Sequence, residues 1–328
     1  MRVTQNQMTR QYLNRSNTAL TNMNKSNERV LTQRKFLRAS EDSVGASKAL
    51  IIRRNLAKTE IYKDNLDTAE GIFETAETAL ISLSDISTTI TDSVLNAVNG
   101  TNGEEERKIL ASQIRNSANE MVRQMNSEFA DRKLFGNTNN DTPPFAYDEA
   151  NGVLTFNGVD INSVNMSDFP NTESGVYVDV GLGVQYMPDG NVDKQTVIDI
   201  ALNGAEATGF GVDADGDPKN LIALAFEAAD AIENGDMAKS REYVNKINSA
   251  KSELMVEITN LGNKQQSVDY SRQRVESDEY SLKVAQQDVE GVDVAEEIIN
   301  FKVAEMAYNA TLSMGAKVIP PSIFDFIR

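Results

Sequence analysis

The densest group of possible ligands in the chain is Asp213-Ala214-Asp215-Gly216-Asp217, three carboxylates on alternate positions. Alternating acids suit a hard cation. A calcium loop of the EF-hand type starting at Asp213 needs Gly at its sixth position and Glu at its twelfth, but those places hold Pro218 and Leu224. The run reads instead as an acidic, solvated turn ahead of a helix at Asn220. Asp179-Val180-Gly181-Leu182-Gly183-Val184 offers two glycines to a phosphate. It lacks the third glycine and the strand-to-helix setting of a dinucleotide loop, and reads as a turn. Carboxylates also cluster at Glu104-Glu105-Glu106 and Glu296-Glu297, in helical segments where solvent-facing charge is expected. A glycosidase needs two acids converging in a cleft with shifted proton affinities, and the sequence singles out no such pair.

The chain has no Cys and no His. A thiol or imidazole nucleophile pair, a thiolate zinc site and an imidazole proton shuttle are therefore excluded. These observations predict a chain that is not an enzyme and that carries no cofactor and no metal. Asn-Xaa-Ser/Thr triplets at Asn14, Asn99, Asn165 and Asn309 occur near chance frequency for an Asn-rich chain and are assigned no role.

At 328 residues, 40% apolar and 25% charged, the chain is long enough for about two ordinary domains and close to globular composition. No stretch approaches the ~20 uncharged residues that cross a bilayer, so no membrane insertion is expected. The start, Met1 to Met8, has no apolar segment of signal-peptide type, so secretion would need another route. The overall charge is −17, unevenly spread: residues 1–60 hold 12 Lys or Arg against 4 Asp or Glu, a net +8. A nucleic-acid partner is not expected, because base stacking needs aromatics and this head contains only Tyr12 and Phe36. Residues 276–328 hold 10 acids and 4 bases, so the two ends are opposite in sign.

These charges must be carried by helices. Leu66, Ala69, Phe73, Ala76, Leu80, Leu83, Ser87, Ile90, Val94 and Ala97 follow 3-4 spacing and form one narrow seam of coiled-coil type. The helix that carries the seam is predicted from Ser43 to Asn99-Gly100, about 57 residues or roughly 85 Å. A second helix is predicted from Glu104 to Lys133, with acids at its positive end. On the C-terminal side Ile247, Leu254, Leu261, Val268, Val275, Leu282 and Val289 recur every seven residues, while the alternate seam position is polar at Lys251, Gln265 and Arg272. One strong stripe beside a weak one suits a helix packed on one side only.

The first helix carries a weaker seam of Leu13, Ser16, Leu20, Met23, Asn27 and Val30. The last, about Val294 to Val318, shows Ile298, Phe301, Tyr308 and Leu312 together with Ile299, Val303 and Met306, and so is apolar on more than one side. Such a helix must be buried, by other subunits if its own chain cannot cover it. The basic first helix and acidic last helix are expected to pair antiparallel, with charge setting register and apolar burial driving the association. Pro320-Pro321 ends the last helix and leaves the apolar tail Ser322 to Ile327. Between the helical flanks, residues 141–215 hold 13 acids and the single base Lys194. The pattern there is of short strands, with a hairpin at Asn157-Gly158 and further strands at Val176–Val180 and Val184–Met187.

With these elements in place, local words of the sequence resemble the bacterial flagellar axial proteins. Phe36-Leu37-Arg38-Ala39-Ser40-Glu41-Asp42-Ser43-Val44-Gly45-Ala46-Ser47 is similar to the acidic turn after the first helix of flagellins and their relatives, and Asn96 to Asn102 resembles the turn between their first two core helices. Three words point within that group to the hook-associated protein 3 type, which joins hook to filament. They are the start Met1-Arg2-Val3-Thr4 with Met8, the entry Lys133-Leu134-Phe135-Gly136-Asn137-Thr138 through Thr142-Pro143-Pro144-Phe145, and the end Ser322 to Ile327. Flagellin itself or another axial protein is the alternative.

The resemblance implies a mainly α fold, an elongated flagellin-like helical bundle or coiled coil built from both chain ends with a small inserted β-rich domain. The expected limits are 1–42 for the inner helix and turn, 43–140 and 216–288 for the two parts of the rod, 141–215 for the insertion, and 289–328 for the last helix and tail. It also implies export through the flagellar type III channel to an extracellular place in the flagellum. The implied partners are copies of itself, a hook-side hook-associated protein, flagellin and an export chaperone. Assembly contacts are expected at Leu13, Leu20, Met23 and Val30, at Ile298, Phe301, Tyr308 and Leu312, and at Phe324, Phe326 and Ile327.

Overall fold

The computed structural model describes residues 5–99, 102–163, 165–170 and 175–318. The start word Met1–Thr4, the helix stop at Gly100, the Pro320-Pro321 break and the tail residues lie outside that range. The described fold is mainly helical, with small antiparallel sheets between its helical flanks. The chain forms two compact units, one of residues up to Thr59 and from Glu276 onward, the other Glu60–Val275.

The first unit contains α1 (Gln5–Thr32) and α7 (Val294–Val318), with the beginning of α2 (Ser43–Asn99) and the end of α6 (Met237–Glu290). The acidic turn word has a local physical cause. Asp42 caps α2, its Oδ1 accepting the Gly45 N–H at 2.8 Å and its carbonyl the Ala46 N–H at 2.9 Å. Gly45 is needed there, since a Cβ would collide with the Asp42 carboxylate and lie 3.0 Å from the buried Phe36 ring. Glu41 supports the same turn by accepting the Leu37 N–H at 3.3 Å.

The second unit is built on the middle of α2 and most of α6. All ten seam residues from Leu66 to Ala97 are buried, including Ser87. The heptad residues Ile247, Leu254, Leu261, Val268 and Val275 are buried against the same core. Side-chain links fix an antiparallel register. Lys251 Nζ reaches Thr88 Oγ1 at 2.6 Å, Gln265 Nε2 reaches Glu77 Oε2 at 2.8 Å, and Arg272 holds Asp67 and Glu70. The polar residues that weaken the alternate stripe are therefore the rungs between the two helices.

α3 spans Glu104–Met125 and ends eight residues before the predicted Lys133. Asn126 terminates it, its side chain bridging the backbone of Phe145 with bonds of 2.8 and 2.9 Å. A two-stranded ribbon follows, β1 (Glu128–Phe129) paired with β2 (Arg132–Lys133). Its turn residues Ala130 and Asp131 have φ of 49° and 61°, a left-handed pair without the Asn-Gly signature that would have announced it.

In the insertion, β3 (Phe145–Asp148), β4 (Val153–Phe156) and β5 (Val159–Asp160) form an antiparallel sheet, with the expected hairpin at Asn157-Gly158 at φ 48° and 82°. A 3-10 turn, Met166–Asp168, follows. β6 (Tyr177–Asp179) pairs with β7 (Val197–Asp199). The strand expected at Val184–Met187 reduces to a single bridge, Tyr186 with Val192, because residues 181–190 are exposed and have no core face to bury. The short α4 (Gly204–Thr208) leads toward α5 (Leu221–Glu233), which packs on α3. The sheet shares their core. Phe145 and Phe156 lie 5.1 Å apart, Phe169 closes on Phe156 at 5.6 Å, and Tyr147 stacks on Phe226 of α5 at 3.6 Å.

The Asp213–Asp217 run is a turn, as expected, with Asp215 solvated and Asp213 and Asp217 held by a lysine. Lys246 of α6 places Nζ 2.7 Å from Asp213 Oδ2, 2.6 Å from Asp217 Oδ2 and 2.7 Å from Glu242 Oε1. The Tyr243 hydroxyl donates to Asp217 at 3.1 Å, and Asn220 caps α5 through bonds to the Ile222 and Ala223 N–H groups. The ammonium occupies the place that a metal would take among these acids. The Lys246 bonds hold the Asp213 carboxyl below its usual range, and burial pushes Asp217 up by less than its bonds to Lys246, Lys239 and Tyr243 pull it down. Burial and the facing acids push the Tyr243 hydroxyl up to about 12.

Lys246→Met leaves the buried Asp217 without its main partner and is expected to cost about 3 kcal/mol of unfolding free energy, read by urea denaturation. Because both carboxyls are held low, that contribution is present above the unfolded Asp value near ~3.9 and is lost as pH falls through the folded values. The wild-type advantage over the variant should shrink in that acid window. An equal difference at every pH would contradict the clamp.

Candidate assembly surface

α7 begins at Asp293, whose Oδ1 accepts the N–H groups of Ala295 and Glu296 at 2.9 and 3.2 Å, with Glu296 and Glu297 in the favourable first turn. It pairs with α1 in antiparallel fashion, Tyr12 near the start of α1 lying against Gly315 near the end of α7. Gly315 is buried, and a Cβ there would collide with the Tyr12 hydroxyl and ring. The segment leaving α1 and the segment entering α7 are tied together at the base of the pair. Gln33 takes φ 55°, its carbonyl accepts the Val292 N–H at 3.2 Å, and the Lys35 N–H donates to Glu290 O at 2.7 Å.

Charge acts at that base and not along the helices. Glu290 is buried and accepts Arg53 Nη2 at 2.6 Å on Oε2, with Arg34 Nε at 3.9 Å. Among the described residues no ion pair crosses between α1 and α7, so the expected register from opposite helix charge is corrected. Register comes from the backbone ties, the Glu290 clamp and the fit of Tyr12 to Gly315. The long basic side chains of α1 reach into water, where pairing gains little.

The sequence-derived contact residues divide by face. Leu20, Met23 and Val30 of α1 and Phe301 and Tyr308 of α7 are half-buried within the chain, while Leu13, at 51% exposure, points away. Ile298 and Leu312 are exposed. Phe324, Phe326 and Ile327 lie outside the described residues. The covered face of α7 runs through Phe301, Ala304, Tyr308, Thr311 and Gly315. Sequence reasoning missed its small members, because Ala, Thr and Gly give no hydrophobic signal, yet they are what allow α1 to approach. Opposite them runs an open apolar stripe: Ile299 63%, Val303 55%, Met306 62% and Met314 61% exposed, at one-face helical spacing. Beside it a groove of about 520 Å³ lies between α1 and α7, lined by Arg15, Thr18, Ala19, Asn300, Val303 and Ala304 among others.

The second unit holds a polar cavity of about 450 Å³ whose walls include Tyr177, Lys194, Asp199, Glu206, Glu257 and Lys264. Burial and the neighbouring Glu206 charge push the Glu257 carboxyl up. This carboxylate pair is far apart in sequence, so nothing short of the fold could bring it to notice.

Arg53→Met leaves Glu290 buried with one distant cation and is expected to loosen the base of the α1–α7 pair by about 2 kcal/mol, a roughly 30-fold rise in amide exchange at Lys35 and Val292. Unchanged exchange would show that the backbone ties alone hold the base of the pair. For the cavity, the folded chain binds the Glu257 proton more tightly than the unfolded chain, so stability falls as pH rises through the ordinary Glu range. Glu257→Gln should therefore raise Tm by about 1–3 °C near pH 7 and leave it unchanged near pH 3.5. A lower Tm near pH 7 would mean that the charge is stabilising.

Residues 3–140 match the family model of the bacterial flagellin N-terminal helical region. No curated protein matches the chain in sequence. Among solved structures, a Vibrio parahaemolyticus protein described as flagellar hook-associated is similar with a TM-score of 0.59 at 17% identity, over 76% of this chain and 100% of that one. FlgL of Bacillus cereus is similar with a TM-score of 0.50 at 16% identity, over 72% of this chain and 99% of that one. FlgL of Xanthomonas campestris is similar with a TM-score of 0.51 at 16% identity, over 70% and 98%. At these identities the likeness is one of fold. Residues 3–140 are thus similar to the flagellin N-terminal helical region, and the chain as a whole has the flagellin-like fold of these solved structures.

Proposed function

We propose that this chain is a non-enzymatic structural subunit of the bacterial flagellum, polymerising through α1 and α7 as the zone that joins hook to filament. The observation that carries the reading is the open face of α7. A helix that its own chain covers on one side only, and that presents Ile299, Val303, Met306 and Met314 on the other, needs partners of the same kind. The flagellin N-terminal region and the flagellin-like fold supply the setting. The start word, the 133–145 entry and the 322–327 end support the junction type over the filament subunit. In this reading the chain leaves the cell through the flagellar export channel with help from a chaperone. It then meets a hook-side hook-associated protein on one side and flagellin on the other.

Residues 141–215 are the outward part of the subunit in this proposal, and polymerisation does not depend on their surface. Deleting them whole would strip Phe145, Leu154 and Phe156 from the core they share with α5, so the hydrolytic alternative is better tested by Glu206→Gln with Glu257→Gln. Cells carrying both substitutions should still build filaments.

Immunolabelling of purified flagella is expected to mark a thin band at the base of the filament. Label along the whole filament would assign the chain to the filament itself, and absence of label from flagella would overturn the reading. Truncation after Pro321 should leave the helical circular dichroism intact and abolish incorporation. An unfolded truncation would instead make the tail part of the subunit core.

A further inference from the structure

The chain has 11 Met and no Cys, so its sulfur chemistry belongs to thioethers alone. Their settings differ sharply. Met121 and Met125 are fully buried, Met166 Sδ accepts a hydrogen bond from Asn203 at 3.3 Å, and Met255 Sδ accepts one from Ser84 at 3.8 Å. The two most exposed methionines among the described residues are Met306 at 62% and Met314 at 61%. Both stand on the outward stripe of α7, where the other large members are Ile299 and Val303. A flexible thioether adapts well to a partner surface, and it is the only part of the stripe open to two-electron oxidation.

From this placement we infer that Met306 and Met314 form an oxidation-sensitive modification site that blocks assembly of the free subunit, an inference that rests on the self-assembly reading above. The co-reactant is a hydroperoxide. A sulfur lone pair attacks the distal peroxide oxygen, an S–O bond forms as the O–O bond breaks, and sulfur is oxidised by two electrons while hydrogen peroxide is reduced to water. The product is a sulfoxide, a strong hydrogen-bond acceptor on a stripe that must lose its water when a second copy packs on it. Neither thioether contributes to the α1-facing side through Phe301, Ala304, Tyr308 and Gly315, so the helix pair itself survives oxidation. In an assembled subunit the same sulfurs are covered, so the lesion selects against damaged chains before they are incorporated.

The test uses the full chain, treated with hydrogen peroxide and quenched, beside Met306→Leu/Met314→Leu treated identically. Peptide mass analysis reads the sulfoxides, sedimentation equilibrium reads self-association, and far-ultraviolet circular dichroism reads the helices. Oxidation at both positions is expected to raise the concentration needed for association about tenfold or more with helix content unchanged, since each unsatisfied buried acceptor is costly. The leucine variant should associate equally well before and after peroxide. Undiminished association of the doubly oxidised wild type would overturn the inference, as would equal inhibition of the leucine variant. A wild-type chain that stays monomeric without peroxide at every concentration would instead remove the self-assembly reading, and this inference with it.

Discussion

A helix that is apolar on two opposite sides cannot satisfy both of them with a single neighbour. α7 is in that position. α1 approaches closely because Ala304, Thr311 and Gly315 are small and Tyr12 fills the space beside Gly315, but an approach from one side covers one side. The large residues left over, Ile299, Val303, Met306 and Met314, would each gain ~1.5–3 kcal/mol on full burial. That is a gross figure, reduced by the freedom lost on association. It is a gain that the described chain leaves unused, and the assembly reading follows from it.

The central seams of the long helices, by contrast, are covered within the chain. Every position of the Leu66–Ala97 seam is covered, and the heptad stripe of α6 is buried as far as Val275, with Leu282 and Val289 only half-buried. Polar residues along these helices act as rungs, and Lys246 pairs internally with Asp213 and Asp217 of the acid-rich loop before α5. The second unit thus uses its charges to fix register. The first unit places the Glu290 clamp at the base of the α1–α7 pair, and among the described residues no ion pair crosses between the two helices.

Periodicity made the long helices legible, and α2 begins at Ser43 as expected. The hairpin at Asn157-Gly158 was equally plain, because its turn needs two left-handed residues and that dipeptide provides them at little cost. What escaped was structure decided by tertiary contact. α3 stops at Met125 because Asn126 finds the Phe145 backbone, and the Ala130-Asp131 turn takes left-handed angles that neither residue advertises. Lys246 could not be matched to Asp213 and Asp217 without the fold, nor Glu257 to Glu206. At the candidate surface Ile299, Val303 and Met306 were found from sequence, but Met314 and the division between a covered and an open face were not. That division depends on where small residues let α1 come close.

Since the chain contains no cysteine, a single introduced thiol reports its own position without ambiguity. The most direct measurement is the reaction rate of Val303→Cys with a maleimide, in the free subunit and in intact purified flagella. A fast reaction when free and strong protection in the flagellum is the predicted result. Equal reactivity in both states would show that the outward face of α7 stays bare in the assembled structure, and the account of why this helix is built as it is would fail.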